Sequence, residues 1–295
     1  MYTTNEDLSR YGNQGSIIGV QNATKIYQFF MMFGKIIMQV CILTKLLWGK
    51  FMTKLLWYLY FSIYLCISSL SLIKIKCMQK KSSKEAEIYA SKRAQSIAKY
   101  VLKVTKTNME VRGVENIPKE NCIFVANHQA IFDGFALLAY IDKPFGFIAK
   151  KEIRKIPLVN GWLKSIGSVY IDRKSPRQSI KTIGEAVEKI KGGCSIMIFP
   201  EGTRSLKSKM NSFKKGSMRL AIKSRVAIVP ITIDGTYNVL EVGTKVIGNK
   251  VKMVVHKPIY VNTLCKEEQQ DLAKYVQNII EEELNNICKS KNIRA

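Results

Sequence analysis

Histidine is nearly absent from this chain: only His128 and His256 occur in 295 residues. Imidazole is the side chain that ordinarily changes charge near neutral pH. Acid–base chemistry run on it therefore has two possible addresses. Acidic residues are also scarce, 22 against 47 lysines and arginines, for a formal charge of +25. Such an excess implies anionic partners: nucleic acid, anionic lipid or phosphorylated substrates. Between Leu8 and Lys84 there is no Asp or Glu at all, yet Arg10 and ten lysines fall there. Nucleic-acid recognition needs basic residues interleaved with aromatic stacking groups on one face. Here the aromatics gather in an apolar N-terminal region, which favours lipid and excludes nucleic acid as the partner. The seven cysteines are scattered, odd in number and without C-x-x-C spacing. That excludes a disulfide framework or a zinc site and fits reduced thiols in a cytosolic environment. Cys122 and Cys194 open apolar strands and read as packing residues. No G-x-G-x-x-G follows a predicted strand and no P-loop is present, so no nucleotide cofactor is indicated. No secretory cleavage pattern and no internal repeat are visible.

What the chain does have begins with residues 55–73, an uncharged run of 19 with Trp57, Tyr58, Tyr60 and Tyr64 toward its start. The length suits a membrane-spanning helix and the aromatics suit the headgroup level. A buried core helix is the plainer alternative, but soluble helices seldom run so long without a charge. Residues 29–48 are apolar but interrupted by Lys35 and Lys45. They suit a second, weaker span or a helix lying in the interface. The basic stretch 74–84 fits a juxtamembrane segment on the cytoplasmic side, attracted by anionic lipid, or else a solvated linker. A chain of this length holds one substantial domain plus an appendage. The division expected is an irregular N-terminus at 1–28, a membrane-associated helical segment at 29–84 and a catalytic domain at 85–295.

From residue 85 onward a helical stretch (85–106, with Ile88, Ala94, Ile97, Val101 and Val104 as its apolar positions) leads into alternating elements. Strands are expected at 109–113, 121–126, 145–149, 168–171, 195–199, 226–233 and 250–256. Helices are expected at 134–141, 153–165, 178–190, 212–223 and 267–288. The alternation predicts an α/β fold with a mixed, largely parallel sheet flanked by helices, behind an N-terminal helical membrane-anchoring segment.

The stretch Asn127-His128-Gln129-Ala130-Ile131-Phe132-Asp133 carries one of the two histidines and an aspartate five residues on. A carboxylate beside an imidazole fixes its tautomer and stabilises the cation formed when the ring takes a proton. Positions five apart lie ~140° around a regular helix. The two can meet only if His128 lies in a loop and Asp133 in the first turn of the helix that follows. His256, at the end of an apparent strand with no acid nearby in sequence, reads as a half-buried structural group.

A second segment, Phe199-Pro200-Glu201-Gly202-Thr203-Arg204-Ser205, follows the apolar strand 195–199. Glycine admits close backbone approach, and arginine presents a planar fork of donors suited to phosphate. Four blocks stand in order: Asn127 to Asp133, then Gly167-Ser168-Val169-Tyr170-Ile171-Asp172-Arg173, then this segment followed by Phe213-Lys214-Lys215-Gly216, then Ile228-Val229-Pro230-Ile231. The chain thereby resembles the acyltransferases of glycerophospholipid synthesis, in particular the 1-acyl-glycerol-3-phosphate (lysophosphatidate) acyltransferase family, over roughly residues 90–260. Two departures are visible: Ala130 where many members carry Ser, and Tyr170 where Phe is common. Neither removes a reacting group.

The resemblance implies transfer of a fatty acyl group from an acyl thioester, on acyl carrier protein or coenzyme A, to the 2-hydroxyl of 1-acyl-glycerol-3-phosphate. Phosphatidic acid for phospholipid biosynthesis is the product. No cofactor or metal is implied. His128 would be the base and Asp133 its orienting acid. Asn127, Arg173, Glu201, Gly202, Thr203, Arg204 and Lys214 would hold substrate; Glu201 would bond a hydroxyl or orient Arg204. Membrane lipids, lysophosphatidate and the thioester carrier are the implied partners, with the catalytic domain on the cytoplasmic face. Glycerol-3-phosphate or another lysophospholipid could replace the acceptor. A non-catalytic basic lipid-binding protein and a thioester hydrolase are the readings of other classes.

Overall fold

The computed structural model describes residues 32, 34–36, 38–40, 49–239 and 248–292. The expected irregular N-terminus at 1–28 and most of the apolar stretch 29–48 lie outside them. The chain divides into two compact units, Met1–Tyr64 and Leu65–Ala295. The sheet, its flanking helices and the candidate site all belong to the second.

The apolar helix α1 (Gly49–Ser68) runs on into α2 (Ser71–Gln79) through Ser69 and Leu70, where Leu70 keeps helical dihedrals (φ −58°, ψ −29°). By length and composition the stretch Leu55–Gln79 is long and apolar enough to cross a membrane. Residues that composition groups with the membrane segment are nevertheless built into the second unit. Trp162 Nε1 donates to Ser69 Oγ at 3.1 Å. A methyl placed on Gly161 would meet the Leu72 side chain at 2.7 Å, so the bare glycine leaves room for that leucine.

Helix α3 (Ser83–Val104) starts where the Ser82 hydroxyl accepts the Glu85 N–H at 3.3 Å. Its buried stripe is Ala86, Ala90, Ala94, Ile97, Ala98, Val101 and Leu102. Ile88, expected on that face, is exposed. Alanines every fourth residue allow close helix packing, and α3 lies against α4 (Phe132–Tyr140) and α5 (Pro157–Ser165).

Seven strands are described: β1 (Asn108–Arg112), β2 (Ile123–Ala126), β3 (Phe145–Lys150), β4 (Val169–Ile171), β5 (Ser195–Ile198), β6 (Ile228–Asp234) and β7 (Lys250–Val255). They form one sheet in the order β1-β7-β6-β2-β5-β3-β4, and every neighbouring pair is parallel except β6 with β7. In β2, β5 and β6 every residue is buried, as expected of central parallel strands covered on both faces. Ile123, Val125, Ile196 and Ile198 pack on one face with Ile183 and Ile190 of α6 (Pro176–Lys191), Leu220 of α7 (Arg219–Ser224), and Val276 and Ile280 of α9 (Leu272–Asn292). Their strand neighbours Phe124 and Met197 point the other way, where Phe124 meets Phe145 edge-on at 5.6 Å. A short helix, α8 (Lys266–Gln270), precedes α9.

Two expected helices are shorter than their periodicity suggests. The one expected at 153–165 begins only at Pro157, preceded by a 3₁₀ turn at Lys151–Lys155. Proline has no N–H and holds Ile156 extended, at φ −101° and ψ 97°, so the helix must start there. The one expected at 212–223 is a 3₁₀ turn, Lys215–Met218, followed by the six residues of α7. Tertiary bonds hold its first turn extended: Phe213 N–H donates to Gln277 Oε1 and Lys214 N–H to the Pro200 carbonyl.

The consequence for function is geometric. Strands β2, β4, β5 and β6 all run the same way, so their carboxyl ends open at one edge of the sheet. Each of the first three blocks, and the residues after the fourth, emerges there. Ligand sites in open α/β sheets lie at that edge.

Candidate active site

The loop after β2 turns directly into α4, which puts His128 before the helix and Asp133 in its first turn. His128 Nδ1 lies 2.7 Å from Asp133 Oδ2. The carboxylate is fully buried, and Oδ2 also accepts the main-chain N–H groups of Gln129 (2.7 Å) and Ala130 (2.9 Å). Its Oδ1 accepts the Thr236 hydroxyl from the loop after β6. Four donors on a buried carboxylate fix its position. Because Nδ1 carries the proton it donates into the bond with Asp133, Nε2 is the ring nitrogen left to accept one. The His128 side chain is 19% exposed, so solvent and substrate can reach it. Its ring stacks on Phe199 at 4.1 Å between centroids, and Phe199 in turn stacks near Phe147 at 6.4 Å.

The loop after β5 is tied to this one by backbone. Ser205 N–H donates to the His128 carbonyl at 2.8 Å, and Leu206 N–H to the Gln129 carbonyl at 3.2 Å. Glu201 is buried between the two loops. Its Oε1 accepts the His128 N–H at 2.6 Å and its Oε2 the Asn211 N–H at 2.7 Å. The carboxyl expected to bond a substrate hydroxyl or orient Arg204 has both oxygens engaged by main-chain donors. In a buried position the converging loops supply the nearest N–H groups. Burial pushes this carboxyl above the usual range, and the two N–H donors draw it back.

Gly202 has φ +73°, and a Cβ there would stand 2.9 Å from Lys214 Nζ. Only glycine takes that conformation without strain while leaving room for the lysine. Arg173, from the end of β4, donates to the Gly202 carbonyl. The fold thus gathers Arg173, Gly202 and Lys214 at one point. Thr203 and Arg204 are exposed on the same loop, one and two residues on.

Asn127 is the expected site residue that the fold withholds. It is fully buried, with Nδ2 donating to the Ile233 carbonyl and Oδ1 accepting the Ile233 N–H, both at 2.8 Å. Following the strand end directly, it still belongs to the sheet layer. There it pins the His128-bearing loop to β6.

Three contributors were missed in sequence. Thr236 bonds Asp133. Gln129 accepts the Gly235 N–H at 2.9 Å and donates to Asp234 Oδ1 at 3.0 Å. Ser208 donates to the same Asp234 oxygen at 2.6 Å. The one available signal was that Asp234-Gly235-Thr236 ends the strand carrying the fourth block.

The other reactive groups sit apart. His256 Nε2 shares a 2.8 Å hydrogen bond with the Thr232 hydroxyl, and burial lowers its pKa. Burial pushes the Cys122 thiol up to about 11 and the Cys194 thiol up to about 12, which leaves both poor nucleophiles.

The acyltransferase family model matches residues 108–234, which begin at β1 and end at β6. A chloroplastic 1-acyl-sn-glycerol-3-phosphate acyltransferase of Arabidopsis thaliana is 36% identical over 173 residues, covering 56% of this chain and 48% of the relative. The chain spans about half the length of that relative and of those from Brassica napus and Chlamydomonas reinhardtii. An enzyme of the same description from Borreliella burgdorferi is 35% identical over 181 residues, with 72% of its length covered. The crystal structure of PlsC, the 1-acyl-sn-glycerophosphate acyltransferase of Thermotoga maritima, superposes with a TM-score of 0.61 at 30% identity, covering 77% of this chain and 97% of that one. The shared fold and the 35% identity over 72% of the Borreliella burgdorferi enzyme agree: the chain belongs to the 1-acyl-sn-glycerol-3-phosphate acyltransferase family.

Proposed function

We propose that this protein transfers a fatty acyl group from an acyl thioester, carried by coenzyme A or acyl carrier protein, to the 2-hydroxyl of 1-acyl-glycerol-3-phosphate, giving phosphatidic acid. It acts at a membrane surface, with the catalytic unit on the cytoplasmic side. The observation that carries this reading is the His128–Asp133 pair, held at 2.7 Å by a carboxylate with four donors at the common edge of the parallel strands. The names and folds of the relatives support the substrate class.

In the proposed reaction His128 Nε2 takes the proton of the acceptor hydroxyl while that oxygen attacks the thioester carbonyl carbon. Asp133 stabilises the imidazolium. Collapse of the tetrahedral intermediate breaks the C–S bond, and the leaving thiolate takes the proton back from His128. Base catalysis of this kind typically contributes ~10²–10⁴-fold. No serine or cysteine nucleophile precedes it, so transfer is direct. Arg204, Lys214 and Arg173 supply positive charge for the acceptor phosphate, with Gly202 and Thr203 offering close backbone and hydroxyl contact. Glu201 holds the base-bearing loop against the phosphate-binding loop through its two main-chain bonds.

The deciding experiment incubates detergent-purified protein with labelled acyl thioester and a panel of acceptors. The panel holds lysophosphatidate, glycerol-3-phosphate, other lysophospholipids and unphosphorylated monoacylglycerol. Label is expected in phosphatidic acid, with little transfer to monoacylglycerol. Thioester loss that proceeds equally well without acceptor would replace this reading with a hydrolase.

Thr236 gives a narrower test. Thr236→Val keeps the side-chain shape and removes the donor to Asp133 Oδ1. A hydrogen bond to a charged group is worth ~1.5–3 kcal/mol, so kcat is expected to fall by roughly ten- to a hundredfold, with acceptor KM unchanged. A Thr236→Ser variant should recover most of the rate. If the valine variant turns over at the wild-type rate, Thr236 does not position the acid.

A further inference from the structure

Two large apolar side chains stand in solvent beside the candidate site. Ile131, inside the loop between His128 and Asp133, is 60% exposed, and Leu206, two residues after Arg204, is 42% exposed. The two loops are one structure, because Leu206 N–H bonds the carbonyl of Gln129, two residues before Ile131. Leu206 also has φ +57°, a left-handed conformation that glycine and asparagine adopt readily and leucine does not. A strained, outward apolar residue at a site mouth points to a use for that side chain.

The charge around it is one-sided. Between Glu201 and Asp234 the chain has no acidic residue and eight basic ones: Arg204, Lys207, Lys209, Lys214, Lys215, Arg219, Lys223 and Arg225. Arg204, Lys207, Lys209 and Lys214 are exposed on the loop that bears Leu206. Glu201 and Asp234, which bracket the run, are both buried. Exposed apolar tips on loops rich in exposed cations match the chemistry of an anionic lipid surface: cations meet headgroup phosphates and the tips enter the acyl boundary.

The geometry points to a second membrane contact, distinct from the apolar helical stretch: we propose that Ile131 and Leu206 insert into an anionic bilayer and seat the site's mouth on it. An acceptor lipid then enters from the leaflet without crossing water. The kinetic arm of this inference rests on the acyl-transfer reading; the contact itself does not.

Both arms use the full chain. In the first, backbone hydrogen exchange is compared in detergent, in phosphatidylcholine nanodiscs and in nanodiscs half phosphatidylglycerol. Amides in 129–133 and 204–209 are expected to gain protection only with the anionic lipid, and to lose it in high salt. Equal exchange in all three overturns the proposal. In the second, Leu206→Asn and Ile131→Ser are assayed singly and together. Asparagine suits the left-handed position, so Leu206→Asn is expected to keep or raise the thermal midpoint, and a loss of rate cannot then be laid to unfolding. The double variant is expected to lose about tenfold in kcat/KM for long-chain lysophosphatidate in anionic vesicles, and nothing for a short-chain, monomeric lysophosphatidate. A fall of equal size on both substrates, or on neither, overturns it. Should the wild type acylate no acceptor, the proposed function fails while the exchange arm still decides the contact.

Discussion

His128→Ala is expected to lower acyl transfer by roughly 10²–10⁴-fold, the usual contribution of a positioned base, while the fold stays intact. The second half of that expectation follows from the Asp133 carboxylate. Losing the imidazole takes away one of its four donors, but the Gln129 and Ala130 N–H groups and the Thr236 hydroxyl remain. No buried charge is left unsatisfied, so the large penalty for an orphaned carboxylate does not arise. The ring's stack on Phe199 is lost, and a stability change of about 1 kcal/mol is expected from the missing contacts. Incorporation of labelled acyl chain, measured beside thermal unfolding, separates the two effects. Wild-type transfer by the alanine variant would remove His128 from the mechanism, and His256 could not take its place. That histidine belongs to β7's end, bonded to Thr232.

Much of this arrangement is legible in the sequence because the central strands are unusually plain. β2, β5 and β6 are short apolar runs buried along their whole length, and each ends at a polar block. Parallel strands then bring those blocks to one edge without further information. The pairing of His128 with Asp133 is legible for the same reason, since a strand end followed at once by a helix leaves one way for the two to meet. What escapes is whatever depends on partners far away in the chain. Thr236 meets Asp133 across a separation of 103 residues, and no local pattern marks a single hydroxyl for that contact. Glu201 and Asn127 have side chains that suit a substrate, yet both are taken up by backbone. Only the convergence of two loops, or the sheet beside them, supplies those donors and acceptors. Of the buried alanines of α3, Ala94 is legible while Ala86, Ala90 and Ala98 escape, because pattern reading weights bulky residues, whereas close helix packing selects small ones. The helix expected at 212–223 shrinks because Gln277 and Pro200, remote in sequence, claim its first N–H groups.

The catalytic weight of the Asp133 charge can be separated from its structural weight by comparing Asp133→Asn with Asp133→Ala. An asparagine can keep its carbonyl oxygen at the Oδ2 position, where it still accepts from His128 Nδ1 and from the Gln129 and Ala130 N–H groups. Its NH₂ then faces Thr236, whose hydroxyl can turn to accept and pass its own proton to Gln129 Oε1, 3.3 Å away. The Gln129 and Ala130 N–H groups and the Thr236 hydroxyl stay paired, so the thermal midpoint is expected to remain near that of the wild type. The negative charge is gone, however, and the imidazolium that forms as the acceptor is deprotonated has no counter-ion. A loss of roughly 10²–10⁴-fold in kcat is expected, comparable with removing the base, because the two residues act as one unit. Alanine removes the acceptor altogether and strands two buried N–H groups. At about 1–3 kcal/mol for each unsatisfied donor, Asp133→Ala is expected to lose several kcal/mol of stability in denaturant unfolding on top of a similar loss of rate. If Asp133→Asn instead turns over as fast as the wild type, the carboxylate serves only to hold the loop, and the ring's charge must be balanced elsewhere.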